Sequence, residues 1–166
     1  MAPVAVVSTE PERWTYPHAP YSLIIDNELF DAPPWNRHRA SATSRELICG
    51  FTTDEARMFT IDADLSASDP LDTARACGLS ASAVRDYRTA NPSITDADLH
   101  ALILSDALFR IPALWCAEAA AETGTNTYLY EFAWPSPARA GALGACHGLD
   151  VPFTFNTPTA PSPPIS

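Results

Sequence analysis

The sequence predicts an α/β fold with few strands and several helices, and three observations carry that prediction. Two short apolar runs bounded by turn residues, RELICGF (45–51) and TYLYEF (127–132), read as strands. The second has apolar side chains on both faces, the pattern of a strand buried in a parallel sheet. Between the two lies a long stretch punctuated by helix starts and stops. Two or three strands with about four helices are too little sheet to stand alone, because a typical sheet has about five strands and a buried parallel strand needs neighbours on both edges. The chain is therefore expected to be part of a larger sheet.

The elements follow in order. Residues 1–19 form an expected extended N-terminal segment, and prolines at 3, 11, 17, 20, 33 and 34 keep most of residues 1–45 loop-like, with only YSLII (21–25) resembling a strand. After the strand at 45–51, Asp69 stands before Pro70 as an N-cap before a first-turn proline, and Gly78 closes that helix. Ser80 opens a second short helix through Tyr87, ended by Asn91-Pro92. In TDADLHALILSDALF (95–109), Thr95 and Asp98 make a capping-box pair, and Leu99, Leu102 and Ile103 begin an apolar face. Pro112 is expected to break or kink the chain, making PALWCAEAAAET (112–123) a separate helix ended by Gly124. The main unit is expected to span 20–156, followed by a flexible proline-rich tail, 157–166.

Composition bounds the function. A single domain of 166 residues would bury roughly 70% of its unfolded surface. Twenty acids against ten bases give a net charge of -10 without any Lys/Arg cluster, which disfavours nucleic acid and anionic membranes as partners. Cys49, Cys77, Cys116 and Cys146 contain no C-x-x-C pair and read as buried thiols. The N-terminus lacks a basic n-region, and no stretch approaches the ~18 apolar residues of a membrane span, so a cytoplasmic location is expected.

Two places carry candidate chemistry. TTDEARMF (52–59) puts Asp54 and Glu55 just beyond a strand's carboxyl end, where working residues gather in α/β sheets. The same acids would also suit the first turn of a helix through its dipole, with no chemistry involved. GALGACHGLD (141–150) brings small residues up to His147, at the end of a 14-residue loop (133–146) behind the second strand. Small neighbours leave an imidazole uncrowded, although glycine-rich surface loops also arise for backbone reasons alone. A carboxylate and a histidine on successive strand ends are two-thirds of an acyl-transfer triad. In α/β-hydrolases the serine precedes both, yet no serine before Glu55 lies in a Gly-x-Ser-x-Gly elbow. GLSAS (78–82) imitates the elbow but sits between helices. A Cys146–His147 dyad is disfavoured because adjacent side chains in extended chain point to opposite sides. His18, His38, His100 and His147 have no metal-ligand spacing, and no metal or other cofactor is expected.

These residues resemble a known family. ELICGFTTDEARMF is similar to the catalytic-acid segment of type-B carboxylesterases, the cholinesterase-like branch of the α/β-hydrolases. SDALFRIPALWCAEAAAETGTNTYLYEFAWPSP resembles the family's following helix and strand, and GALGACHGLDVPFTF its histidine segment. The likeness covers roughly residues 20–156, with three motifs in the family's order. It implies a partial α/β-hydrolase fold and hydrolysis of small carboxylic esters by a Ser-Glu-His triad. Glu55 matches the catalytic acid and His147 the catalytic histidine, while Asp54 matches the acid beside them that is not a triad member. Ala56 departs from the family's usual glycine, and Trp115 and Cys116 lie in a helix often more polar there. The serine and the oxyanion loop belong to the N-terminal half that is expected to be missing, so a second chain carrying that half is the implied partner. The alternative expectation is a non-catalytic remnant or interaction module derived from a carboxylesterase, its uncovered strand edges free to bind.

Overall fold

The computed structural model describes Trp35, residues 46–65 and residues 69–157. Two strands, β1 (Leu47–Thr52) and β2 (Thr127–Phe132), pair in parallel, with Leu47 opposite Thr127 and Thr52 opposite Phe132. Parallel neighbours require a long crossover, and here it is helical. It comprises α1 (Arg57–Thr60), α2 (Pro70–Ala76), α3 (Ala81–Ala90), α4 (Asp96–Ser105), a π-helical turn (Asp106–Arg110) and α5 (Ile111–Glu122). Beyond β2 come a 3-10 turn (Ala138–Gly141) and a single helical turn, α6 (Val151–Thr154).

Local chemistry sets the helix ends. The Asp69 carboxylate accepts the Leu71 N–H at 2.8 Å with Pro70 at the first helical position, and the Thr95 hydroxyl accepts the Asp98 N–H at 3.1 Å. Helix α3 begins after Ser80 as expected but runs to Ala90, three residues beyond Tyr87, and stops at Asn91-Pro92. Helices α2, α3 and α4 close around Ala74, Leu79, Ala83, Val84, Leu99 and Ile103, with Leu71, Cys77, Tyr87 and Ile94 packed against that cluster. Helix α5 lies against both strands.

Three expectations need correction. Pro112 does not separate two helices: residues 96–122 form one 27-residue rod. The Ile111 N–H reaches back five residues to the Asp106 carbonyl, and this wider turn lets Pro112 sit at the second position of α5 without ending the rod. Consequently the chain does contain a helix long and apolar enough, by length and composition, to cross a membrane. In this fold it is a packing helix, burying Leu99, Ile103 and Leu104 against its neighbours. Finally, β2 is parallel but not buried: Tyr128 is 56% exposed, and Leu129 and Tyr130 are also exposed. Among the described residues, β1 is the only strand paired with it. The strand expected at 21–25, the extended segment 1–19, the tail from 158 onward, His18 and His38 lie outside the described residues.

Candidate active site

Where β1 ends, the chain turns back on itself and seats Glu55. The Thr52 N–H donates to Glu55 Oε1 at 2.7 Å, so the side chain caps the strand from which it came. Glu55 is only 5% exposed. A buried carboxylate must have partners for its charge, and the second oxygen finds one: Oε2 lies 2.6 Å from Nδ1 of His147, 92 residues away in sequence. The His147 N–H also donates to the Glu55 carbonyl at 3.3 Å, so backbone and side chain of the two residues meet together. The imidazole packs against the rings of Phe109 and Phe59, with centroids at 4.8 and 5.7 Å. Its side chain remains 44% exposed. No acid occupies the first turn of α1, so the dipole alternative for Asp54 and Glu55 does not describe their place.

Asp54 holds the histidine loop. Its N–H donates to the Ala145 carbonyl at 2.9 Å, and its Oδ2 accepts the Ala145 N–H at 2.9 Å, a two-bond bridge between the acid turn and the residue two before His147. Arg57 lies 3.5 Å from the other Asp54 oxygen and 3.1 Å from Asp98 of α4. Gly144 makes this approach possible, because a Cβ there would run into the Asp54 carboxylate and its φ of +58° is left-handed. Thus one of the small residues before His147 gives room to Asp54 as well as conformational freedom to the loop. Farther back, the Ser136 N–H donates to the Gly144 carbonyl at 2.8 Å and closes the loop on itself.

Cys146 points inward and is buried, opposite in direction to the exposed His147. Burial pushes its thiol up, the reverse of the thiolate activation a nucleophilic cysteine needs. His100 is engaged elsewhere, with Nδ1 2.6 Å from the Thr73 hydroxyl, and burial lowers its proton affinity. Tyr130 donates to Asp150 at 2.7 Å, and that bond, aided by burial, raises its phenol to about 12.

Sequence reasoning missed the residues under the acid turn. Ser105, at the end of α4, accepts the Ala56 N–H at 2.9 Å and donates to the Ala101 carbonyl at 2.8 Å. Arg110 pairs with buried Asp106 at 3.0 Å, reaches the Thr53 carbonyl at 3.4 Å and lies over the Phe51 ring. Within SDALFR these residues read simply as helix, because nothing local marks a side chain whose partner is some fifty residues away.

The model of the carboxylesterase family matches residues 5–164. A crystal structure of a carboxylesterase from Geobacillus stearothermophilus, determined at pH 6.2, superposes with a TM-score of 0.69 at 26% identity over 85% of this chain. The chain spans 30% of the length of that enzyme.

Proposed function

We propose, from the premise that this chain belongs to the carboxylesterase family, that it supplies the acid and base of a Ser-Glu-His ester-hydrolysis relay, with the nucleophile and oxyanion donors lying outside these 166 residues. The observation that carries this reading is the 2.6 Å contact between Glu55 and Nδ1 of His147. With a carboxylate at Nδ1, the neutral imidazole donates there and leaves Nε2 as the proton acceptor. A serine hydroxyl meeting Nε2 would give up its proton as it attacks an ester carbonyl, and Glu55 would steady the resulting imidazolium. The exposed flank of His147 leaves room for such a partner. No serine of this sequence stands in a Gly-x-Ser-x-Gly elbow, so small carboxylic esters are the expected substrates of the completed site, not of this chain alone.

The test is complementation. Alone, the chain should hydrolyse p-nitrophenyl acetate no faster than buffer. Mixed or coexpressed with an N-terminal carboxylesterase segment carrying the serine elbow, it should gain activity. Glu55→Gln should then cost about 10³-fold or more in kcat, because it removes the acceptor that orients the imidazole, and His147→Ala should cost at least as much. Turnover by the unaccompanied chain that His147→Ala abolishes would contradict the assignment of the nucleophile elsewhere.

A second reading is favoured by the exposed apolar residues Ile48, Tyr128 and Tyr130 of the sheet. It makes the chain a non-catalytic interaction module. Complex formation with the serine-bearing segment without any gain in hydrolysis would select it.

A further inference from the structure

We propose that Ser105 is a positioning residue for both members of the acid–base pair, acting through the peptide unit that joins Glu55 to Ala56. This inference rests on the reading of Glu55 and His147 as that pair. The peptide unit is held from both ends. Its N–H, on Ala56, donates to Ser105 Oγ at 2.9 Å, and its carbonyl, on Glu55, accepts the His147 N–H at 3.3 Å. Ser105 itself is fixed, because its hydroxyl proton is committed to the Ala101 carbonyl at 2.8 Å, leaving a lone pair aimed at Ala56. Both Ser105 and Ala56 are almost fully buried, so water cannot substitute for the hydroxyl.

The surroundings make the placement specific. Ser105 is the last residue before the π-helical turn Asp106–Arg110, and such turns shift the side chains that follow relative to those before. From this one turn Phe109 reaches the His147 ring, and Arg110 reaches the Thr53 carbonyl, two residues before Glu55. The acid turn is thereby gripped on either side of Glu55, by Arg110 before and by Ser105 after. Of the two grips, the Ser105 bond is shorter and touches the very peptide that also binds His147. A purely structural serine in a helix would need only its bond to Ala101.

The experiment reads the hydrogen bond, not hydrolysis, and uses the full chain. Proton NMR of the parent should show a downfield Nδ1–H resonance from His147, absent in His147→Ala. In Ser105→Ala that resonance should be lost or broadened, while Ser105→Thr, which keeps the hydroxyl, should restore it. Ile103→Val, whose side chain lies in the α2–α4 core, gives the comparison for general loosening and should keep the resonance. If Ser105→Ala does not fold, Ser105→Cys is read in its place, since it fills the site but accepts weakly. A Ser105→Ala chain with the parent's resonance would overturn the inference alone. Loss of the resonance in Ile103→Val to the same degree would also overturn it. A parent chain without any such resonance would overturn the acid–base reading and this inference with it.

Discussion

The helical lobe and the sheet both carry large apolar side chains, yet those side chains end up in opposite situations. In the lobe, Leu99 and Ile103 are both 0% exposed, because α2, α3 and α4 are joined by short turns and bury one another's faces. In the sheet, Ile48 is 71% exposed and Tyr128 is 56% exposed, because among the described residues two strands and α5 cannot cover both faces. A helix can satisfy its backbone by itself and needs only a neighbour for its stripe; a parallel strand needs partners on two edges and layers on two faces. The candidate active site lies where the two regions meet. Glu55 hangs from the sheet's end, but its turn is gripped by Ser105 and Arg110 from the lobe's long helix. The lesson is that the lobe can serve as a rigid seat for the acid even where the sheet is incompletely covered.

The contrast can be broken or sharpened by substitution. The largest effect belongs to the lobe: Leu99→Ala should destabilise the chain by about 3 kcal/mol in urea unfolding, from lost burial plus a cavity. Its counterpart on the sheet, Ile48→Ala, should stay within about 0.5 kcal/mol, since that side chain is largely in water already. Equal losses at the two positions would show that the sheet face is covered in solution.

At the junction an intermediate effect is expected. Gly144→Ala must place a Cβ at a left-handed φ and against the Asp54 carboxylate, and should cost about 2 kcal/mol while loosening the bridge between Asp54 and Ala145. Hydrogen exchange at the Ala145 and His147 amides should rise more than at Leu99; a uniform rise would place the strain elsewhere.

The smallest effect is on the sheet's outer side and depends on pH. The phenol of Tyr130 keeps its proton to about 12, whereas an unfolded tyrosine loses it near about 10. Between those values the folded chain binds more protons, so this contribution to stability is whole below about pH 10 and is lost as pH rises through about 12. The parent should therefore melt above Tyr130→Phe at pH 8, and the gap should narrow by pH 11.5. A constant gap in thermal melts at the two pH values would mean that the Asp150 bond does not hold the proton in solution.

Much was legible before any coordinates. Asp69-Pro70, Thr95 with Asp98, and the glycines at 78 and 124 mark the helix ends because capping is a matter of three or four consecutive residues. TYLYEF is a strand over the residues read as one, and the motifs around Glu55 and His147 were recognisable as those of a carboxylesterase. Less was legible where neighbours decide. Pro112 looked like a break, but the wider π-helical turn before it lets the rod continue. The apolar faces of β2 looked buried, but burial depends on what packs outside the strand.

By itself the sequence determined which residue types stand at the ends of strands and helices, and hence the acid and the histidine on offer, because those choices are written within a few positions of chain. Only the tertiary structure decided that Glu55 and His147 meet across 92 residues, and that the serine at the end of α4 lies beneath them. Such meetings are set by the parallel register of β1 with β2 and by the Asp54 bridge to Ala145, long-range pairings that no local stretch of sequence encodes.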